Sequence, residues 1–182
     1  MAEIPNKLNT TMQSYIPGEI GHSGATQVQA MMLESSDEKN NVYGRAFERN
    51  EDVDELVSTV KEFEGGVFAG IMISPKQGPG TRATDDGEAY VPNGEVSRFI
   101  RIGDSVAVAL DAAGENNEVG AQVYAKTDGS LTTSESGANP IPAIVQWHKP
   151  ADEGPEGKVL ALISLQGQFV AAQEPDNGDN GD

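Results

Sequence analysis

Residues 96–111, VSRFIRIGDSVAVALD, carry the pattern that decides the fold class. Residues 96–102 read as one strand. In residues 105–111, Val106, Val108 and Leu110 recur at every second position, which places them on one face of a second strand. Between the two, Gly103-Asp104 reads as a tight turn. The expectation is therefore a pair of short strands with an apolar face to bury.

Downstream, the same grammar repeats. Residues 112–118, AAGENNE, make a loop, and residues 122–126, QVYAK, a strand. Thr127-Asp128-Gly129 is a hairpin signal leading into residues 130–133. Residues 144–147 and 159–165 supply two more strands, joined by the loop PADEGPEG. Upstream, residues 66–74, GVFAGIMIS, form a nearly continuous apolar run that suits a strand buried on both faces. Residues 75–88 are rich in turn formers. Residues 26–33, TQVQAMML, and 42–47, VYGRAF, read as strands separated by a polar loop over 34–41. Asn50 and the acids after it resemble a helix start. Val53, Leu56, Val57 and Val60 fall at helical spacing, with a strand over 56–60 as the rival reading.

Residues 1–25 show no period and contain Pro5, Pro17, Gly18, Gly21 and Gly24. They are read as an extended arm. Tyr15, Ile16, Pro17 and Ile20 make it too apolar for a solvated tail, so the arm is expected to lie on its own body or on a neighbouring subunit. The last residues, EPDNGDNGD, hold no apolar side chain and are expected to be disordered. The organisation is thus an arm (1–25), a β-rich body (26–170) and an acidic tail (171–182). With 21 glycines and 10 prolines, the fold class is mainly β. The body is a small β-barrel or β-sandwich, with at most one or two short helices.

Composition narrows function. A chain of 182 residues suits one domain. It has no cysteine, which removes disulfides, thiolate nucleophiles and thiolate metal sites. The formal charge is −17, from 29 acidic against 12 basic residues. Such a balance repels phosphate backbones, so no direct nucleic-acid partner is expected. The charge serves solubility or attachment to a basic surface, and its sign alone does not separate the two. No apolar run is long enough to span a bilayer, and MAEIPNKLNTTMQ lacks the pattern of a secretory signal.

Catalytic signals are missing. The two histidines, His22 and His148, sit in unlike contexts and belong to no ligand or triad motif. No serine stands in a Gly-x-Ser-x-Gly elbow. Gly78-Pro79-Gly80 imitates a phosphate loop, but its proline lacks the amide an anion nest needs. The tail DNGDNGD lacks the glutamate and helices of a calcium loop. Trp147, the single tryptophan, shares a face with Val145 by alternation and is expected in the core, with an interface anchor as the rival reading. The expectation is a non-enzyme with no catalytic residue, metal or cofactor.

Several ordered pieces resemble the phage capsid cement, or head decoration, proteins. They are Gly103-Asp104-Ser105-Val106, then Val119-Gly120-Ala121-Gln122-Val123-Tyr124, then Asp128-Gly129-Ser130-Leu131. Ile141-Pro142-Ala143-Ile144 and Leu160-Ala161-Leu162-Ile163-Ser164-Leu165 follow, and Ile16-Pro17-Gly18-Glu19 matches the family's N-terminal segment. The resemblance implies a body that sits on the outside of a phage head after synthesis in the host cytoplasm. It further implies that the protein cements neighbouring capsomers and stabilises the expanded shell. The implied partners are the major capsid protein and further copies of the chain, as a homodimer or homotrimer. Tyr15, Ile16, Pro17 and Ile20 are the expected contacts. The alternative is a non-catalytic binding module for carbohydrate or a host surface. That module would call for exposed aromatics, which are 5% of the chain. A cupin-like enzyme would need a histidine-rich motif, and a major shell protein a larger chain with longer helices.

Overall fold

The computed structural model describes residues 16–21, 25–50, 58–74, 82–83, 89–111, 117–148 and 158–166. The strands, in chain order, are β1 Gln27–Leu33, β2 Ala46–Arg49, β3 Thr59–Glu62, β4 Phe68–Ile73, β5 Arg82–Ala83 and β6 Ala89–Tyr90. They continue with β7 Val96–Asp111, β8 Gln122–Ala125, β9 Leu131–Thr132, β10 Asn139–His148 and β11 Lys158–Gln166. The mainly-β expectation holds. The one helical element among the described residues is a single 3-10 turn, Glu38–Asn40, capped by Asp37.

Nine strands form one sheet in the order β1-β3-β2-β4-β7-β11-β10-β8-β9, and β5 pairs with β6 separately. Two further pairings, β1 with β7 and β9 with β7, close this sheet on itself twice. The result is two rings that share β7. The first half of β7 pairs with β1 and β4. Its second half pairs with β11 and touches β9 at Leu110. Closure leaves few open sheet edges, the usual hazard of β-proteins.

The decisive stretch therefore behaves differently from the expectation. Gly103-Asp104 is not a hairpin turn, and β7 runs on as one 16-residue strand. A hairpin would require its two halves to pair with each other, whereas each half is engaged by different strands. The segment still carries an irregularity: Ser105 has φ 58, and the register with β11 shifts between Ile163 and Leu165. A side chain at Gly103 would place its Cβ 2.6 Å from Ile100 Cδ1. Glycine and a bulge re-aim a strand without ending it.

Two apolar clusters follow from the two rings. Met31, Leu33, Phe47, Val60, Ala69, Met72, Val91 and Phe99 fill the first. Val106, Val108, Leu110, Val123, Leu131, Ile141, Val145 and Ile163 belong to the second, together with Ala46, Ile71, Ile73 and Ile100 from strands of the first ring. Alternation explains the split: Phe99 points into the first ring, while Ile100 points out of it and packs against the second.

Other expectations shift by small amounts. The strand expected over 42–47 begins at Ala46, because residues 43–44 form a turn. The helix read from Asn50 falls mostly on residues 51–57, which lie outside the described residues, and Val60 belongs to β3. β10 begins at Asn139, earlier than expected, because its first residues pair with β8 despite Pro140 and Pro142. Trp147 is half-buried rather than in the core. A register shift between Val145 and Trp147 breaks the alternation, so Trp147 lies opposite Leu162 and Val145 opposite Ile163.

Candidate interaction surface

The arm residues were expected to seat on the body or on a neighbour, and residues 16–21 seat on the body. A turn closes with Glu19 N donating to Ile16 O at 3.0 Å. Ile16 N donates to Glu19 Oε2 at 3.1 Å. Three backbone bonds then tie the segment to the bulged part of β7. They are Gly18 N to Ala107 O at 2.7 Å, Ala107 N to Glu19 O at 2.8 Å, and Gly21 N to Ser105 O at 2.7 Å. Ile20 forms an antiparallel bridge with Val106, and Ser74 N donates to Gly18 O at 2.9 Å. The chain thus becomes an added strand at the bulge, where the β9–β7 contact leaves room.

This backbone anchoring leaves side chains outward. Ile16 is 62% exposed and Ile20 38% exposed, while Pro17 is half-buried. Three of the expected contact residues therefore share one short segment. Tyr15 lies outside the described residues. Pro17 also lines a cavity of about 360 Å³ together with Val42, Tyr43, Arg45, Ala109 and Leu131. Burial raises the Tyr43 phenol pKa above its ordinary value.

At the wall of that cavity, Arg45 ties the rings together. Its Nη1 donates to Asn40 Oδ1 at 3.1 Å and to Asp128 O at 3.2 Å, and lies 3.6 Å from Asp128 Oδ2. Burial works to raise the Asp128 pKa. Hydrogen bonds from the Ser130 hydroxyl and amide, with the Arg45 charge, outweigh it and hold the carboxyl below its ordinary value.

Sequence reasoning missed a second exposed apolar set. Val28 on β1 and Val96 and Ile102 on β7 are 41%, 56% and 40% exposed. They were read as strand residues with no face assigned to them. The legible signal was that Val96, Arg98 and Ile102 share one parity while Ser97 and Phe99 share the other.

Among the described residues no group of three or more His, Asp or Glu side chains is placed to hold a metal, and no helix is long and apolar enough to cross a membrane. His22 and the Gly78-Pro79-Gly80 loop lie outside the described residues. His148 ends β10.

Comparison with known proteins supplies the rest. No curated protein matches this chain. The fold is similar to a chain of "The capsid of Myoviridae Phage XM1", with a TM-score of 0.60 over 91% of this chain and 99% of that one, at 16% identity. Residues 4–166 match the family described as structural cement protein (E217 gp24/Pam3 gp6). This match spans the arm, both rings and the shared strand, and the chain belongs to the phage structural cement protein family.

Proposed function

We propose that this protein binds the outside of a phage head, bridges neighbouring capsomers and stabilises the expanded shell without catalysing a reaction. The observation that carries the reading is the family match over residues 4–166. The closed double ring supports it, because a body with few free edges can be displayed in many copies without edge-to-edge aggregation. The seated segment supports it too: Ile16 and Ile20 project from a backbone already fixed by hydrogen bonds, so little ordering entropy is lost when a partner covers them.

Stabilisation follows from mass action. A protein that binds the expanded shell and not its precursor favours the expanded state in proportion to its free concentration over Kd. Copies that each touch more than one capsomer add effective-concentration gains. The major capsid protein is the partner in this reading, and the protein associates with itself as a dimer or trimer on the shell.

Co-sedimentation with expanded and unexpanded shells tests the proposal, alongside light scattering of the free protein. The expected result is a fixed stoichiometry on expanded shells only. Equal binding to both shells, or to neither, would rule it out. The paired substitution Ile16→Ser and Ile20→Ser should weaken shell binding while thermal unfolding stays unchanged. Removing residues 174–182 should change little.

A further inference from the structure

On the outer wall of the first ring, β1 and the first half of β7 set three cross-strand pairs on one face. They are Met32 opposite Val96, Ala30 opposite Arg98, and Val28 opposite Ile100. Of the residues between them, Met31, Ser97 and Phe99 are buried, and Met31 and Phe99 belong to the core of the ring. The three pairs therefore point away from that core. Ile100 is covered by the second cluster, whereas Val28, Ala30, Val96 and Arg98 are exposed and Met32 is half-buried. At Met32, β1 is paired on both sides, by β3 and β7. The patch is thus a sheet face that a partner meets with side chains, not an edge open to strand addition.

Charge selects the partner. Of the 29 acids in the chain, none lies in β1 or in residues 96–102. Copies of a chain at −17 repel one another, and they do so least across this face. A basic partner would instead be drawn to the acidic surface and away from Arg98. The patch is also self-complementary. Arg98 lies two residues to one side of the Met32–Val96 pair. Exposed Glu34 continues the outward parity of Met32, two residues to the other side. Each is about 7 Å from the pair along the strands. A two-fold axis between two such faces, crossing the strands at that pair, brings Arg98 of one copy to Glu34 of the other, twice over. The same operation stacks Met32 and Val96 on their counterparts.

We propose that this face is a self-association surface, on which a second copy covers Val28, Met32 and Val96 by two-fold symmetry and pairs Arg98 with Glu34. The inference deepens the cement reading and rests on it for the place of the dimer on a shell. A patch of this size is smaller than a standard interface, so the dimer is weak in free solution and gains from effective concentration once copies sit side by side.

The test uses the full-length protein. The chain has no cysteine, so Val96→Cys carries one thiol, and a short bismaleimide can join only two copies through it. It should join them about tenfold faster than Val119→Cys, which puts the thiol on an exposed turn before β8. Equal rates overturn the inference. In sedimentation equilibrium up to about 1 mM protein, Arg98→Glu should weaken the dimer about tenfold, and adding Glu34→Arg should restore it. Val28→Glu should weaken the dimer too, and thermal unfolding of every variant should match the parent. A dimer untouched by Arg98→Glu and Val28→Glu overturns the inference, as does a parent protein that stays monomeric throughout. If these two variants lose shell binding but not self-association, the face meets the capsid and the proposal fails. If the parent protein dimerises through this face yet binds no shell, the cement reading fails while the inference about the face stands.

Discussion

The two rings share β7 yet are held in different ways. The second is built on aliphatic burial: Val106, Val108, Leu110, Val123, Leu131, Ile141 and Ile163 are all at most 1% exposed. The first has a core of aromatic and methionine side chains, and around it stand buried carboxylates. Glu48 Oε2 accepts from Glu64 N and Gly66 N, each at 2.7 Å, and Glu48 Oε1 lies 3.3 Å from Lys61 Nζ. Glu62 accepts from the Ser36 amide and hydroxyl and from Asp37 N. Buried Asn41 accepts from Ser35 Oγ and donates to Val91 O and Asn93 Oδ1. Burial of apolar area is non-directional, so the second ring's aliphatic core stabilises it without aiming particular polar groups. Hydrogen-bonded carboxylates fix particular loops, so the first ring positions its turns.

The contact between the rings is the most vulnerable place. Gly70 on β4 has φ 142, and a Cβ there would sit 2.6 Å from Ile100 O and 3.0 Å from Ile100 C. Those are backbone atoms of the shared strand and cannot step aside. Gly70→Val should cost more than about 4 kcal/mol, since both strain and displacement of β7 contribute. Soluble yield and thermal unfolding check this, and a near-parent melting temperature would mean that β4 and β7 can separate cheaply.

Somewhat smaller effects separate the rings. Phe99→Ala empties the first ring and Leu110→Ala the second, each by about 3 kcal/mol. Since Ile71 and Ile100 of the first ring pack in the same cluster as Val106 and Leu110, urea unfolding of both variants should remain a single transition with an unchanged m-value. Two transitions in either variant would show that the rings unfold as separate units.

How far the sequence foretells this arrangement depends on where the determining contact lies. Gln122–Ala125, the Asp128-Gly129 hairpin and Lys158–Gln166 were legible because alternation and turn chemistry are local. The continuity of β7 was not, since Gly103-Asp104 is a turn by composition, and only pairing with β1, β4 and β11 keeps it extended. Trp147 was misplaced because one extra residue on β10, invisible in a hydropathy pattern, inverts every face beyond it. Ile16, Pro17 and Ile20 were legible as apolar residues in an aperiodic segment. Their docking on residues 105–107 depends on a bulge no local rule announces. Arg49 shares parity with the core residue Phe47 on β2, which runs against the rule that charges face water, so sequence reading passed over it.

The carboxylates predict a difference in acid response. Burial alone would raise the Glu62 pKa, but hydrogen bonds from the Ser36 hydroxyl and the Ser36 and Asp37 amides more than offset it, and the carboxyl titrates below its ordinary value. A depressed folded pKa contributes stability that is complete above the ordinary glutamate pKa and is lost as pH falls through the folded one. Glu62→Gln should cost about 2 kcal/mol at neutral pH and should flatten the acid limb of the stability profile. Asp128, lowered in the same direction but with a side chain 45% exposed, should contribute a shallower limb when changed to asparagine. If the Glu62→Gln profile parallels the parent's below neutrality, the loop at Ser36 is not held by that carboxylate.

The smallest contrast concerns two lysines. Lys126 Nζ pairs with Asp111, joining β7 to the end of β8, and both side chains are about a third or more exposed. Lys61 Nζ reaches Glu64 Oε2 at 2.8 Å and also faces Glu48, whose side chain is 6% exposed. These acids hold the Lys61 pKa above its ordinary value, chiefly through the Glu64 and Glu48 hydrogen bonds. An exposed pair is screened and contributes less than about 0.5 kcal/mol, so Lys126→Ala should be nearly silent in chemical denaturation. Lys61→Ala removes the counter-charge from a desolvated carboxylate and should cost about 1 kcal/mol. Raising the salt concentration should narrow this gap little, because Glu48 is shielded from ions by the ring itself. Equal losses for the two variants would mean that the Gly66 and Glu64 amides alone satisfy Glu48, and that the first ring owes its carboxylates' stability to backbone geometry rather than to charge.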